Sequence, residues 1–146
     1  MSENRLEDRI FNFAVSTAKF VGSLPSHGVN IVIYRQLIRS ALSVGANWQE
    51  AAGGLTNADF VHSANIAKKE ARETAYWLKV MKELKIGEPK ELDVLCAESS
   101  ELVLILTSIV KKLQNKCKSG ISKKALVVFL SFILQPLAFR ISSAGD

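Results

Sequence analysis

The stretch "YRQLIRSALSVGANWQEAAGG", residues 34–54, decides the fold. Tyr34, Leu37, Ile38, Ala41, Val44, Gly45 and Trp48 recur in it at steps of three and four, the period of a helix with one buried face. Arg35 and Arg39 stand one turn apart on another face. Gly53 and Gly54 end the pattern as a helix stop would. Within this helix Asn47 and Glu50 share a side, among Gly45, Ala46, Ala51 and Ala52, where a plain core would want leucine. A ligand site is one reading of that side. The other is a polar network that fixes the register of two helices.

Working outward, the same period returns three times. Leu6, Ile10, Phe13, Thr17, Phe20 and Leu24 predict a first helix over about 3–23, broken by Pro25 and Gly28. The quoted stretch extends back to Asn30 as the second helix, 30–52. A third follows "GLTNADF", with Thr56 or Asn57 as cap and Asp59 as an acid in the first turn; it runs to about Lys85, before Gly87 and Pro89. A fourth covers about 90–118 on Leu92, Leu95, Cys96, Ser99, Leu102, Val103, Leu106, Ile109, Val110 and Leu113. Short links between such helices imply antiparallel neighbours. The expected fold is all-α: an antiparallel up-down four-helix bundle over 1–118, with an apolar C-terminal extension over 119–146. The extension, "ALVVFLSFILQPLAFRISSAGD" after a basic hinge, reads equally as a short helix, a strand or an unstructured segment.

The chain has 146 residues, 48% of them hydrophobic, which is one domain's worth with enough apolar mass for a core. Its net charge of +5 suits nucleic acid or an acidic partner without singling out either. Cys96 and Cys117 fall far apart on one predicted helix and cannot pair there, and free thiols suit a reducing cytosol, so a cytoplasmic location is expected. The charged start "MSENRLEDRI" is unlike a signal peptide. The longest apolar run, residues 125–134, is short of the roughly 20 residues a membrane span needs, so no span is expected.

Candidate chemistries are sparse. A di-iron bundle needs a carboxylate from each of two helices and a Glu-x-x-His from each of two others. The chain offers one Asp-x-x-His, Asp59 to His62, and Asp59 already has a role at a helix start. "NKCKSG" surrounds Cys117 with lysines, but a solvated helix end accounts for it better than a reactive thiol does. Gly53-Gly54 follows a helix, not a strand, so it is no phosphate loop. The expectation is a non-enzyme with no catalytic residues, no metal, no cofactor and no small-molecule substrate.

Basic residues are the better candidates. Lys111, Lys112, Lys116 and Lys118 crowd the end of helix four; Lys68, Lys69 and Arg72 sit among Glu70 and Glu73; Arg35 and Arg39 form a third group, and Lys79 continues along helix three. Any one such cluster is ordinarily a solvated surface. Repeated around a ring of subunits, several together become a multivalent phosphate-binding surface. Helix three carries two stripes. Phe60, Ala64, Ala67, Ala71, Thr74, Leu78 and Met81 form a small-residue face for the bundle. Ile66, Trp77, Val80 and Leu84 form another, alongside Glu73, and one bundle core does not need both. Self-association through the second stripe is therefore expected.

The combination "RQLIRSALSVGANWQEA", then "DF", then "IAKKEARETAYWL" resembles the bacterial four-helix-bundle proteins encoded within intervening sequences of 23S ribosomal RNA genes. It is also similar to the accessory variability protein of diversity-generating retroelements. The resemblance covers about Ile10 to Leu113. It implies a four-helix protomer, a barrel-like homopentamer and no catalytic residues. The retroelement relatives contact a reverse transcriptase and structured nucleic acid. Together these features predict a non-enzymatic oligomeric adaptor that binds structured RNA or a nucleoprotein partner, such as a reverse-transcriptase-like protein, through basic surfaces. The alternative is a protein–protein scaffold with no nucleic-acid role. Asn47, Glu50 and Glu73 are expected to form the polar network between helices two and three, with small neighbours drawing helix three close and Arg72 or Lys69 in reach of Glu50.

Overall fold

The computed structural model describes residues 4–25 and 28–118, with side chains over 6–25 and 28–115. Four helices fill it: α1 (Asn4–Gly22), α2 (Asn30–Gly53), α3 (Asn57–Glu83) and α4 (Pro89–Lys118). No strand occurs among the described residues. The extension over 119–146 lies outside them.

Local chemistry sets the helix ends. Thr56 begins α3 with a capping box: the Asp59 amide donates to its hydroxyl at 3.1 Å, and its own amide donates to Asp59 Oδ2 at 3.1 Å. Pro89 opens α4, where a missing amide hydrogen costs nothing. The end of α3 folds back through the Ile86 amide, which donates to the Met81 carbonyl at 2.9 Å, with Lys85 in the left-handed region at φ 53°. Gly87 follows at φ 95°, and a Cβ there would come within 2.5 Å of Phe20 Cζ. Both the dihedral and the space demand glycine. The same contact sets the start of α4 against the end of α1.

Each helix packs on its neighbours in the chain, and α1 closes the ring against α4. The α2–α3 contact is the most extensive and α1–α4 the least. Cross-links confirm an antiparallel arrangement: near the start of α1, Gln49 of α2 bonds Glu7 and Glu98 of α4 bonds Arg9. The buried residues of α3 are Phe60, Ala64, Ala67, Ala71, Thr74, Leu78 and Met81, the small-residue stripe read from the sequence. They meet Leu37 and Val44 of α2 and Leu102, Leu106 and Leu113 of α4 in one core. Trp48 closes the α2–α3 end edge-to-face on Phe60, with ring centroids 5.9 Å apart.

One packing expectation needs correction. Gly45 does not open space for α3, because it faces α1: a Cβ there would lie 3.8 Å from Ile10 Cγ2. Ala46 and Ala52 are exposed. The fully buried alanines are Ala64, Ala67 and Ala71 on α3, with Ala41 and Ala51 on α2. Among the described residues no helix is long and apolar enough to cross a membrane.

Candidate nucleic-acid interface

The two edges of α3 carry opposite charge, and ion pairs to the neighbouring helices show which edge is which. Toward α2, Arg39 Nη2 donates to Glu73 Oε1, and Arg39 Nη1 lies 3.6 Å from Glu70 Oε2. Trp77 Nε1 donates to the same Glu73 oxygen at 3.3 Å. The Arg39 bond, helped by Trp77, holds the Glu73 carboxyl below the usual range, and Glu73 in turn raises Arg39. Beneath this pair the Thr74 hydroxyl sits between Ser40 Oγ, at 3.0 Å, and the Glu70 carbonyl, at 2.8 Å. Ser40 and Thr74 are both fully buried.

This network replaces much of the expected one. Glu73 belongs to it; Asn47 and Glu50 do not. The Asn47 amide donates back to the Ser43 carbonyl of its own helix at 2.8 Å. Glu50 is exposed near the end of α2, lining an open depression with Gln49, Asp59 and His62. A carboxylate at such a rim keeps its water and has no need of a partner. Neither Arg72 nor Lys69 approaches it, because Trp48 meets Phe60 and Arg39 meets Glu73, which sets Glu50 level with Asp59 and His62 at the start of α3.

Toward α4, Lys82 Nζ donates to Asp93 Oδ1 at 2.6 Å, which raises the Lys82 ammonium and fixes this edge. Counting back from Lys82 by threes and fours gives Lys79, Ala75, Arg72 and Lys68 on the same edge. Counting forward from Asp93 along α4 gives Ser100, Leu104, Thr107 and Lys111 facing them. Arg72, Lys79 and Lys111 are exposed and Lys68 is half-buried. Among the described residues none of these four cations forms an ion pair. Lys68 and Arg72 are thereby placed on the opposite edge from Glu70 and Glu73, while Lys69 stands one turn from Glu73.

Residues 3–108 match the family model for the 23S rRNA-intervening sequence protein. The chain belongs to this family. Among solved structures it is similar to the crystal structure of a protein with unknown function from the S23 ribosomal protein family of Bacteroides thetaiotaomicron VPI-5482. The two are 33% identical with a TM-score of 0.66, over 76% of this chain and 99% of that one. No curated protein matches.

The remaining candidates of this 23S rRNA-intervening sequence family member are dispersed. Arg35 and Lys69 are exposed away from the α3–α4 edge, and Arg39 is committed to Glu73. Lys112 is half-buried. Lys116 and Lys118 lie on α4, but their side chains are outside the described residues. Of the second α3 stripe, Trp77 and Val80 are half-buried and already pack against the chain's own core. Ile66 is half-buried and Leu84 is exposed. Asp59 is taken up by the capping box. Burial pushes the half-buried Cys96 thiol up, away from the reactive thiolate. Sequence reasoning missed the clamp of Arg9 on Glu98 and Glu101, which joins α1 to α4 and raises the guanidinium further. Its partners are far off in the chain, so no local spacing pointed to it.

Proposed function

We propose that this chain is a non-enzymatic, oligomeric adaptor that binds structured RNA or a nucleoprotein through the α3–α4 edge. The observation that carries the reading is the unpaired row of Lys68, Arg72, Lys79 and Lys111, set apart from Glu70 and Glu73, which are engaged with Arg39 on the α2 edge. Cations already paired within the fold would have to give up a partner before gripping a phosphate; these four do not. The family's naming for 23S rRNA intervening sequences supports an RNA context. The likeness to the retroelement accessory protein supports a homopentamer and a reverse-transcriptase-like partner. A ring would repeat the edge around its axis and turn a modest patch into a multivalent one.

Native mass spectrometry reads stoichiometry and cargo together, and a mobility shift with structured RNA reads affinity. If the four cations meet four phosphates per protomer, log affinity should fall against log salt with a slope of about −3 to −4. An intact oligomer that leaves structured RNA unshifted at low salt would sink the RNA reading. That outcome would favour a protein–protein scaffold, for which the exposed Val32, Tyr76 and Leu84 offer an apolar surface.

A further inference from the structure

We infer that the α3–α4 edge takes double-helical RNA by its phosphate backbone, not single strands by their bases. The inference rests on the RNA-binding reading above and narrows it to one class of RNA.

Single-strand binders pair a basic groove with aromatic rings on which successive bases stack. Among the described residues, the rings of α2 and α3 other than Tyr76 are withdrawn from the basic row. Trp48 is buried on Phe60. Tyr34 is buried, with its hydroxyl directed at the Pro25 carbonyl. Trp77 is on the α2 edge, where its nitrogen donates to Glu73. Tyr76 alone is both aromatic and exposed on α3, and it stands edge-to-face with Trp77, ring centroids 5.0 Å apart. Tyr76 also lies one turn from Arg72 and from Lys79, so the row has a single ring beside it and not the succession of rings that a single strand needs. The row itself presents ammonium and guanidinium groups, with the exposed Thr107 hydroxyl opposite. Such groups bond phosphate and ribose oxygens and have no flat face for a base.

Rigidity points the same way. Lys68 to Lys79 spans about 16 Å along one helix axis. The Lys82–Asp93 pair at one end holds α4 alongside. Two packed helices fix the spacing of the positions that carry the charges, which suits a backbone whose phosphates are themselves regularly spaced. A flexible strand would have to be ordered to meet them, at an entropic cost that a duplex does not incur.

The test compares the full-length protein on a long-stemmed RNA hairpin and on an oligouridine of equal length, by mobility shift across a salt series. The hairpin should bind about tenfold tighter or better. Tyr76→Ala should change hairpin affinity by less than about twofold, whereas Arg72→Gln should weaken it on every stem sequence alike and lower the salt slope by about one. Oligouridine binding as tightly as the hairpin would overturn the duplex inference while leaving RNA binding intact. So would a loss of about tenfold on Tyr76→Ala with the helical circular dichroism and thermal midpoint unchanged, because it would place a base on that ring. If neither RNA binds at low salt, the broader reading fails with it.

Discussion

The α2 edge and the α4 edge of α3 are built from one short run of sequence, "KKEARETAYWLK", and end with opposite roles. On the α2 edge Glu70 and Glu73 gather around Arg39, with Trp77 and a buried Ser40–Thr74 contact behind them. Charge there is consumed by the fold. On the α4 edge Lys68, Arg72 and Lys79 remain available, and Lys82 alone is paired. A helix turns about 100° per residue, so neighbours in sequence separate onto different sides. A run with alternating signs can therefore still present a strongly basic face.

This contrast can be broken most directly by reversing charge. The triple variant Lys68→Glu, Arg72→Glu and Lys79→Glu should lose about 100-fold or more in RNA affinity at moderate salt, with little change in the thermal midpoint. Its counterpart, Glu70→Gln with Glu73→Gln, should leave affinity within about twofold. Equal losses from both would erase the distinction between the edges. Ala67→Leu should destabilise by about 2–3 kcal/mol in denaturant titration, because it overfills the contact that lets α3 sit close. A neutral result would mean that the alanines are not what sets helix spacing. Thr74→Val should cost about 1 kcal/mol, through the hydrogen bonds it removes from a buried site.

The smallest effect is expected from Glu73→Gln, below about 1 kcal/mol at neutral pH, because the pair with Arg39 is partly solvated. Its sign against pH is the sharper measurement. Folding depresses the Glu73 carboxyl, so its contribution is present above the unfolded carboxylate range and is lost as pH falls through the lower folded value. The variant should flatten the acid side of the stability profile. Asp93→Asn should act on the other side. Folding raises Lys82, so that contribution is complete below the unfolded lysine range and disappears as pH rises through the higher folded value. Unfolding followed by circular dichroism across pH would show whether the two pairs separate in this way.

Periodicity made the fold legible. Every residue of the predicted small stripe on α3 is buried, and the four helices begin and end within a few residues of where Pro25, Gly53, Thr56 and Gly87 placed them. Such signals are local: a cap, a breaker or a repeated step needs only its own neighbourhood. The polar network was legible in its location between α2 and α3 but not in its members. Choosing Arg39 over Glu50 required the rotation of α2 relative to α3, and single-helix spacing does not contain it. The same missing angle hid the separation of Lys68 and Arg72 from Glu70 and Glu73, and left Gly45 assigned to the wrong neighbour. Arg9 was invisible because an ion pair between distant helices leaves no spacing behind.

Gly87 gives the whole arrangement a phase. Its backbone fits one conformation, pinned against Phe20, so the turn behaves as a keyed joint with a single seating. Every charge on α3 is therefore indexed by how many residues separate it from that joint. Inserting one alanine between Leu78 and Lys79 would keep composition, net charge and helix propensity nearly unchanged. It would nonetheless rotate the segment before it by about 100° relative to the joint, carrying Lys68 and Arg72 off the α4 edge. For this helix a count of residues matters as much as their kind, and length variation in α3 should be far less tolerated than substitution on its surface.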